Sequence, residues 1–228
     1  MSNNAVIEIK NLCKTYKTKT REVQALRDVS INFEAGKFYA IMGHSGSGKS
    51  TLISIIGLLE SFESGEYKIN GKDVSGLTSK EEAELRRDSI GFIFQEFYLD
   101  EYLKAYENVI MPMLINENIS KDERKIKALE LLDLVDLSER VEHFPKEMSG
   151  GEKQRVAIAR ALANNPSVIL ADEPTGDLDE ENEEKIFKIL KDLTKEGKCV
   201  IVVSHSNEVK KYADELLTIE KGKLSKEK

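Results

Sequence analysis

Hydrophobic residues make up 40% of the 228-residue chain, enough for a core of its own, but the longest apolar runs are strand-sized and none approaches the roughly 20 residues of a membrane helix. A net charge of −7 lacks the basic field of a phosphate-backbone binder, so nucleic acid is not an expected partner. Cys13 and Cys199 stand far apart without ligand-spaced companions, which argues against a disulfide framework or a zinc site. With no export signal in MSNNAVIEIK, the expected address is cytoplasmic.

In chain order, AVIEI (residues 5–9), VSINF (29–33) and KFYAIM (37–42) read as strands, followed by a glycine-rich loop and an apolar helix, KSTLISIIGLLE (49–60). GEYKINGKDV (65–74) alternates around Asn70-Gly71, a strong hairpin signal. Residues 96–150 differ. They show helical spacing, a break at Pro112, a capping pattern that starts at Ser120, and no strand-like run. Beyond them the chain alternates: helix 151–164, strand 168–171, helix 180–196, strand 199–203, a short helix from Asn207, and strand 216–220. That alternation predicts a parallel sheet covered on both faces. The terminal EKGKLSKEK reads as a solvated tail, since its acidic residues partly cancel the lysines. The expected architecture is one α/β domain over residues 1–228. Residues 1–95 and 151–228 form a core with a mainly parallel sheet and an antiparallel β subdomain, and 96–150 form an inserted helical subdomain.

FYAIMGHSGSGKST fits the phosphate-loop pattern G-x-x-x-x-G-K-[ST] in full, with an apolar strand before it and a helix after it. The residues expected to bind a nucleotide are therefore Gly43, His44, Ser45, Gly46, Ser47, Gly48, Lys49, Ser50 and Thr51. The glycines let backbone N–H groups turn toward phosphate oxygens, and the helix N-terminus adds positive potential. Lys49 supplies a charge for the β- and γ-phosphates, and the Ser50 hydroxyl is placed to hold Mg²⁺. VILADEP ends a second apolar strand with Asp172 and Glu173 side by side, at the edge where open α/β sheets bind ligands. Two adjacent carboxylates need different roles. Asp172 is expected to approach the metal through its water shell, and Glu173 to activate the attacking water. His205 and Gln95 each follow a strand and share that edge, and Tyr16 is a candidate for stacking on a base.

The order and spacing of the phosphate loop, Gln95, MSGGEKQR, ILADEP, GDLD (176–179) and His205 resemble those of an ABC-transporter ATPase subunit, over nearly the whole chain. The resemblance implies a P-loop NTPase fold of the ABC-ATPase type that hydrolyses ATP to ADP and phosphate, with Mg²⁺. It implies that Tyr16 stacks on adenine, that Gln95 links the metal and the water to a transport partner, and that His205 is a γ-phosphate switch. It also implies that Asp179 couples two active sites across a dimer. Within the family, IGFIFQ, NVIMPM and VAIARALANNPSVILADEPTGDLD are similar to the lipoprotein-release, macrolide-export and antimicrobial-peptide-resistance group. Met148, His44 and Ser206 depart from the usual residues at their positions without removing a catalytic group, and Asp100-Glu101 stand where the group often has apolar residues.

A second glycine turn, Ser149, Gly150 and Gly151, opens another helix and presents further N–H donors without a lysine. One chain needs one triphosphate cradle. Two copies arranged head to tail give each second loop a function, capping the γ-phosphate held by the other copy, so a C2 homodimer with ATP at its interface is expected. With no membrane span of its own, the chain would act through a separate transmembrane permease, at the inner face of the cell membrane. The rival reading is a regulatory module that controls a membrane-bound cell-wall hydrolase complex without transport.

Overall fold

The computed structural model describes residues 4–17, 22–117 and 119–227. Strands β1 (Ala5–Lys17) and β2 (Glu22–Glu34) pair antiparallel, with Ile7, Ile9 and Leu12 on one side and Leu26, Ile31 and Phe33 on the other turned inward. Their alternation of buried and exposed positions is that of a sheet with one wet face. Strand β3 (Phe38–Met42) is buried along nearly its whole length and leads through the glycine-rich loop into helix α1 (Lys49–Ile56). The helix stops earlier than the apolar run suggests, because Gly57 caps it with its N–H on Ile53 O.

Strands β4 (Ser64–Ile69) and β5 (Lys72–Asp73) form the expected hairpin, with Asn70 and Gly71 both at positive φ (50° and 76°), the signature of a type I′ turn. Helix α2 (Ser79–Ser89) follows, closed by a capping box between Thr78 and Glu81. The sequence reading did not anticipate it. Its only buried residue is Ser89, so it carries no apolar stripe to reveal it. Next come β6 (Ile90–Phe94), the short α3 (Ala105–Ile110), a 3-10 turn (Met111–Ile115) that contains Pro112, and α4 (Lys121–Leu134) with the anticipated Ser120 cap.

The remaining elements are two 3-10 turns (Ser138–Arg140 and Pro145–Glu147), α5 (Gly150–Ala161), β7 (Val168–Asp172), α6 (Glu180–Lys195), β8 (Cys199–Val203), a 3-10 turn (Glu208–Lys211), β9 (Glu215–Glu220) and β10 (Lys223–Lys226). β10 corrects the reading of the terminus as a solvated tail. Lys221 and Gly222, both at positive φ, turn the chain back so that β10 pairs with β9. Leu224 is the only apolar residue of β10, and the charged run concealed the strand.

Two sheets result, one ordered β2-β1-β4-β5 and the other β10-β9-β3-β8-β7-β6. In the larger sheet all neighbours are parallel except β10. Its strands alternate between two cores. Phe38, Ala40, Val200 and Val202 pack with α3, α4, α5 and α6, whereas Tyr39, Ile41, Ile201 and Val203 pack with α1 and the small sheet. Burial of each such aliphatic side chain is worth about 1.5–3 kcal/mol against about 0–1 for an exposed ion pair. The helices and the small sheet are therefore held by these two faces rather than by the surface charges.

Candidate nucleotide site

Parallel neighbours deliver all their C-termini to one edge. The order β3-β8-β7-β6 consequently sets four loops side by side: the glycine-rich loop after β3, His205 after β8, Glu173 after β7, and Gln95 after β6. All four contribute to one open cleft of about 820 Å³. Every residue from Gly43 to Thr51 lines it, together with Tyr16, Gln95, Asp172, Glu173 and His205.

In the phosphate loop, Gly43, Gly46 and Gly48 adopt φ values of 157°, 75° and 114°, and Ser47 N–H closes a turn on His44 O at 3.1 Å. Gly48 caps α1 in a left-handed conformation without a side-chain bond, and no acidic residue occupies the helix's first turn. The helix end therefore keeps its positive potential for a ligand. A side chain at Gly48 is sterically barred, since a Cβ there would lie 2.5 Å from Ala25 O. Lys49 Nζ donates to Gly43 O (2.6 Å) and His44 O (3.1 Å), which holds the ammonium inside the loop's curve. The Ser47 hydroxyl is buried with no hydrogen-bond partner among the described residues, a donor fitted to an anion oxygen.

The outer wall of the cleft was not foreseen. Gly222 N–H donates to Ser47 O (2.9 Å) and Arg27 N–H to Gly222 O (2.8 Å), so the β9–β10 turn is wedged between β2 and the phosphate loop. Arg27, Ala25, Lys221 and Gly222 line the cleft as a result. This contact joins two sheets across the fold, and no local motif announces it.

Asp172 ends β7, where burial pushes its carboxyl above the usual range, the neighbouring Glu173 pushes the same way, and Lys49 opposes both. Glu173 sits in the left-handed region (φ 48°), held by its N–H on Val203 O at 2.8 Å. Its Oε2 accepts from His205 N–H at 3.1 Å and lies 2.8 Å from His205 Nδ1. An ionised carboxylate only accepts, so in this contact Nδ1 carries the proton. The Gln95 amide donates to Asp177 Oδ2 at 3.3 Å and rests against Gly176, where a Cβ would come within 3.0 Å of it. Tyr16 hydroxyl donates to Glu60 Oε2 at 2.5 Å, and Lys14 Nζ lies 5.2 Å from its ring centroid. The residue remains 38% exposed and lines the cleft, which leaves it open to a planar base.

Ser149, Gly150, Gly151 and Asp179 are not among the residues that line this cleft. Ser149 caps α5 and accepts from Glu152 N–H at 3.3 Å, while Glu152 Oε2 accepts from Ser149 N–H at 2.8 Å. Fewer donors are open here than the sequence suggests, namely the N–H groups of Gly150 and Gly151. Gly151 also serves packing, because a Cβ on it would lie 2.2 Å from Asn182 Oδ1. Asp179 caps α6 by accepting from Asn182 N–H at 2.9 Å.

A family model described as ABC transporter matches residues 26–176. The chain belongs to this family. A Methanocaldococcus jannaschii protein named an uncharacterized ABC transporter ATP-binding protein, MJ0796, is 45% identical over 97% of this chain and 96% of its own length. The macrolide export ATP-binding/permease protein MacB of Chlorobaculum tepidum is 45% identical over 95% of this chain, which spans 33% of that protein. A dimeric structure of MJ0796 in a post-hydrolysis state, bound to ADP and Pi, superposes with a TM-score of 0.88 at 43% identity, covering 97% of this chain and 98% of the other. The chain is thus the ATP-binding subunit of an ABC transporter and an ATPase. Among the described residues no helix of this ABC subunit is long and apolar enough to cross a membrane.

Proposed function

We propose that this ABC ATPase is the motor of an exporter: two copies, arranged head to tail, hydrolyse ATP at their interface and drive a separate permease at the inner face of the membrane. The observation that carries the reading is the convergence of the phosphate loop, Asp172, Glu173, His205, Gln95 and Tyr16 on one cleft, while the Ser149 loop stays outside it. A triphosphate lies along the loop of residues 43–51, with adenine on Tyr16. Lys49 exchanges Gly43 O and His44 O for phosphate oxygens, and the trade is favourable because the new bonds join opposite charges. Glu173 orients a water and takes its proton as the γ-phosphate passes to that water, leaving ADP and phosphate. Hydrogen bonding to His205 holds Glu173 in place, and the His205 ring senses whether the γ-phosphate is present. Asp179 links the α6 cap to the second active site of the dimer.

The Ser50 hydroxyl, the Asp172 carboxylate and the Gln95 amide oxygen form a set of hard oxygen donors suited to Mg²⁺. When bound, Mg²⁺ supplies neutralisation of the charge on the β- and γ-phosphates.

The MacB relative, whose name joins macrolide export to a permease, supports an outward direction and a macrolide-like substrate; lipoprotein or peptide cargo rests on the resemblance of the sequence motifs alone. A groove of about 440 Å³ lined by Arg87, Phe92, Phe94, Tyr98, Pro112 and Ile115 supports docking of a permease segment beside Gln95. Replacing Glu173 with Gln tests the reading directly. Phosphate release falls by about a thousandfold while ATP is still bound; turnover within a few-fold of the parent removes Glu173 from its role. With the permease present, lipoproteins, peptides and macrolides are then screened for stimulation of hydrolysis.

A further inference from the structure

Helix α5 reaches the catalytic edge from inside the protein. Gln154 is fully buried, and its Nε2 donates to Phe94 O at 3.1 Å and to Pro174 O at 2.7 Å. Phe94 immediately precedes Gln95, and Pro174 immediately follows Glu173. Both partners are carbonyl oxygens, so the amide nitrogen must face them. Its own Oε1 is left buried without a partner among the described residues. A purely apolar side chain here would take a donor away from both main-chain carbonyls.

Six positions along the same helix, Arg160 donates to Phe97 O at 2.8 Å and to Tyr98 O. Burial depresses its guanidinium pKa, a penalty offset by two charge-assisted bonds. One helix therefore grips the main chain on both sides of Gln95 and just after Glu173. The N-terminus of that helix carries Ser149 and Gly150.

We propose that Gln154 is a positioning residue that ties α5 to Gln95 and Glu173, so that the seating of α5 against the partner copy's nucleotide sets the geometry of hydrolysis in the cleft of its own chain. The proposal rests on the reading of Glu173 as the water-activating residue and of α5 as the partner-facing helix. The side chain is not among those that line the cleft. It acts through two carbonyls that cannot move independently of the helix.

Gln154→Met in the full chain is the test, with phosphate release measured against ATP concentration and thermal melting and ATP titration run on the same preparation. The expected result is a kcat about 10- to 100-fold lower, with KM and ATP affinity within about threefold of the parent. A structural hydrogen bond alone would lower the melting temperature and leave kcat per folded molecule unchanged, and that result overturns the proposal. So does an equal loss of ATP affinity, because Gln154 does not contact the phosphate loop. If Gln154→Met does not fold, Gln154→Glu, which keeps the shape and when protonated donates one of the two bonds, carries the same comparison. Glu173→Gln in parallel separates the two readings. Normal turnover in Glu173→Gln removes the catalytic assignment, whereas an inactive Glu173→Gln beside a fully active Gln154→Met removes this inference alone.

Discussion

Helices α1 and α5 both start behind glycine-rich turns, but α1 has no side-chain cap at Gly48, while α5 is closed by the reciprocal bonds of Ser149 and Glu152. The uncapped end collects Lys49 and the unpartnered Ser47 hydroxyl in a cleft. The capped end keeps only the Gly150 and Gly151 N–H groups open and stands apart from that cleft. A terminus with open donors gains most from an anion and is remodelled by it. A terminus partly satisfied by its own side chains keeps its shape and offers its remaining donors on a firmer surface. The contrast fits a division of labour in which one loop binds ATP within the chain and the other meets ATP held elsewhere.

The largest effect that can break this contrast is expected at Lys49. Lys49→Ala removes the only cation of the loop, and ATP affinity in titration calorimetry falls by about 10- to 100-fold; full affinity would mean that the uncapped end does not need its charge. Next, Ser149→Arg leaves ATP binding by a single chain within about twofold but prevents the ATP-dependent dimer on size exclusion, and a dimer of normal stability would unmake the second loop's role. The smallest effect sharpens the comparison. Ser149→Ala deletes the cap and costs about 1 kcal/mol, lowering the melting temperature by about 2–4 °C. No equivalent loss is expected from Ser45→Ala, since no hydrogen bond to the Ser45 side chain occurs among the described residues and α1 has no side-chain cap to lose.

Features that depend on neighbours in sequence were readable in advance. Residues 43–51, the Asp172-Glu173 pair and the Asn70-Gly71 turn each follow from local chemistry, and the strand at Cys199–Val203 emerges with the expected bounds. Features made by distant contact were not readable. Arg27 and Lys221 reach the cleft only because β2 and the β9–β10 turn meet beside the phosphate loop. Gln154, a polar residue in a helical run, would ordinarily be assigned to the surface, but α5 inserts it between β6 and the segment after β7. In α2 and β10 a different obstacle applies. Both are mostly polar elements on the periphery, so hydrophobic periodicity has little to register, although the Thr78 capping box gave a usable local signal for α2.

The brace between Gly222 and Ser47 also bears on the order of events during synthesis. A ribosome releases the phosphate loop well before the backbone donor that steadies it, which lies on the β9–β10 turn. Nascent chains interrupted before Gly222 would carry the whole motif and still lack its support. The ATP affinity of a chain interrupted before Gly222, measured by titration calorimetry, therefore reads how much of the loop's binding geometry rests on that support.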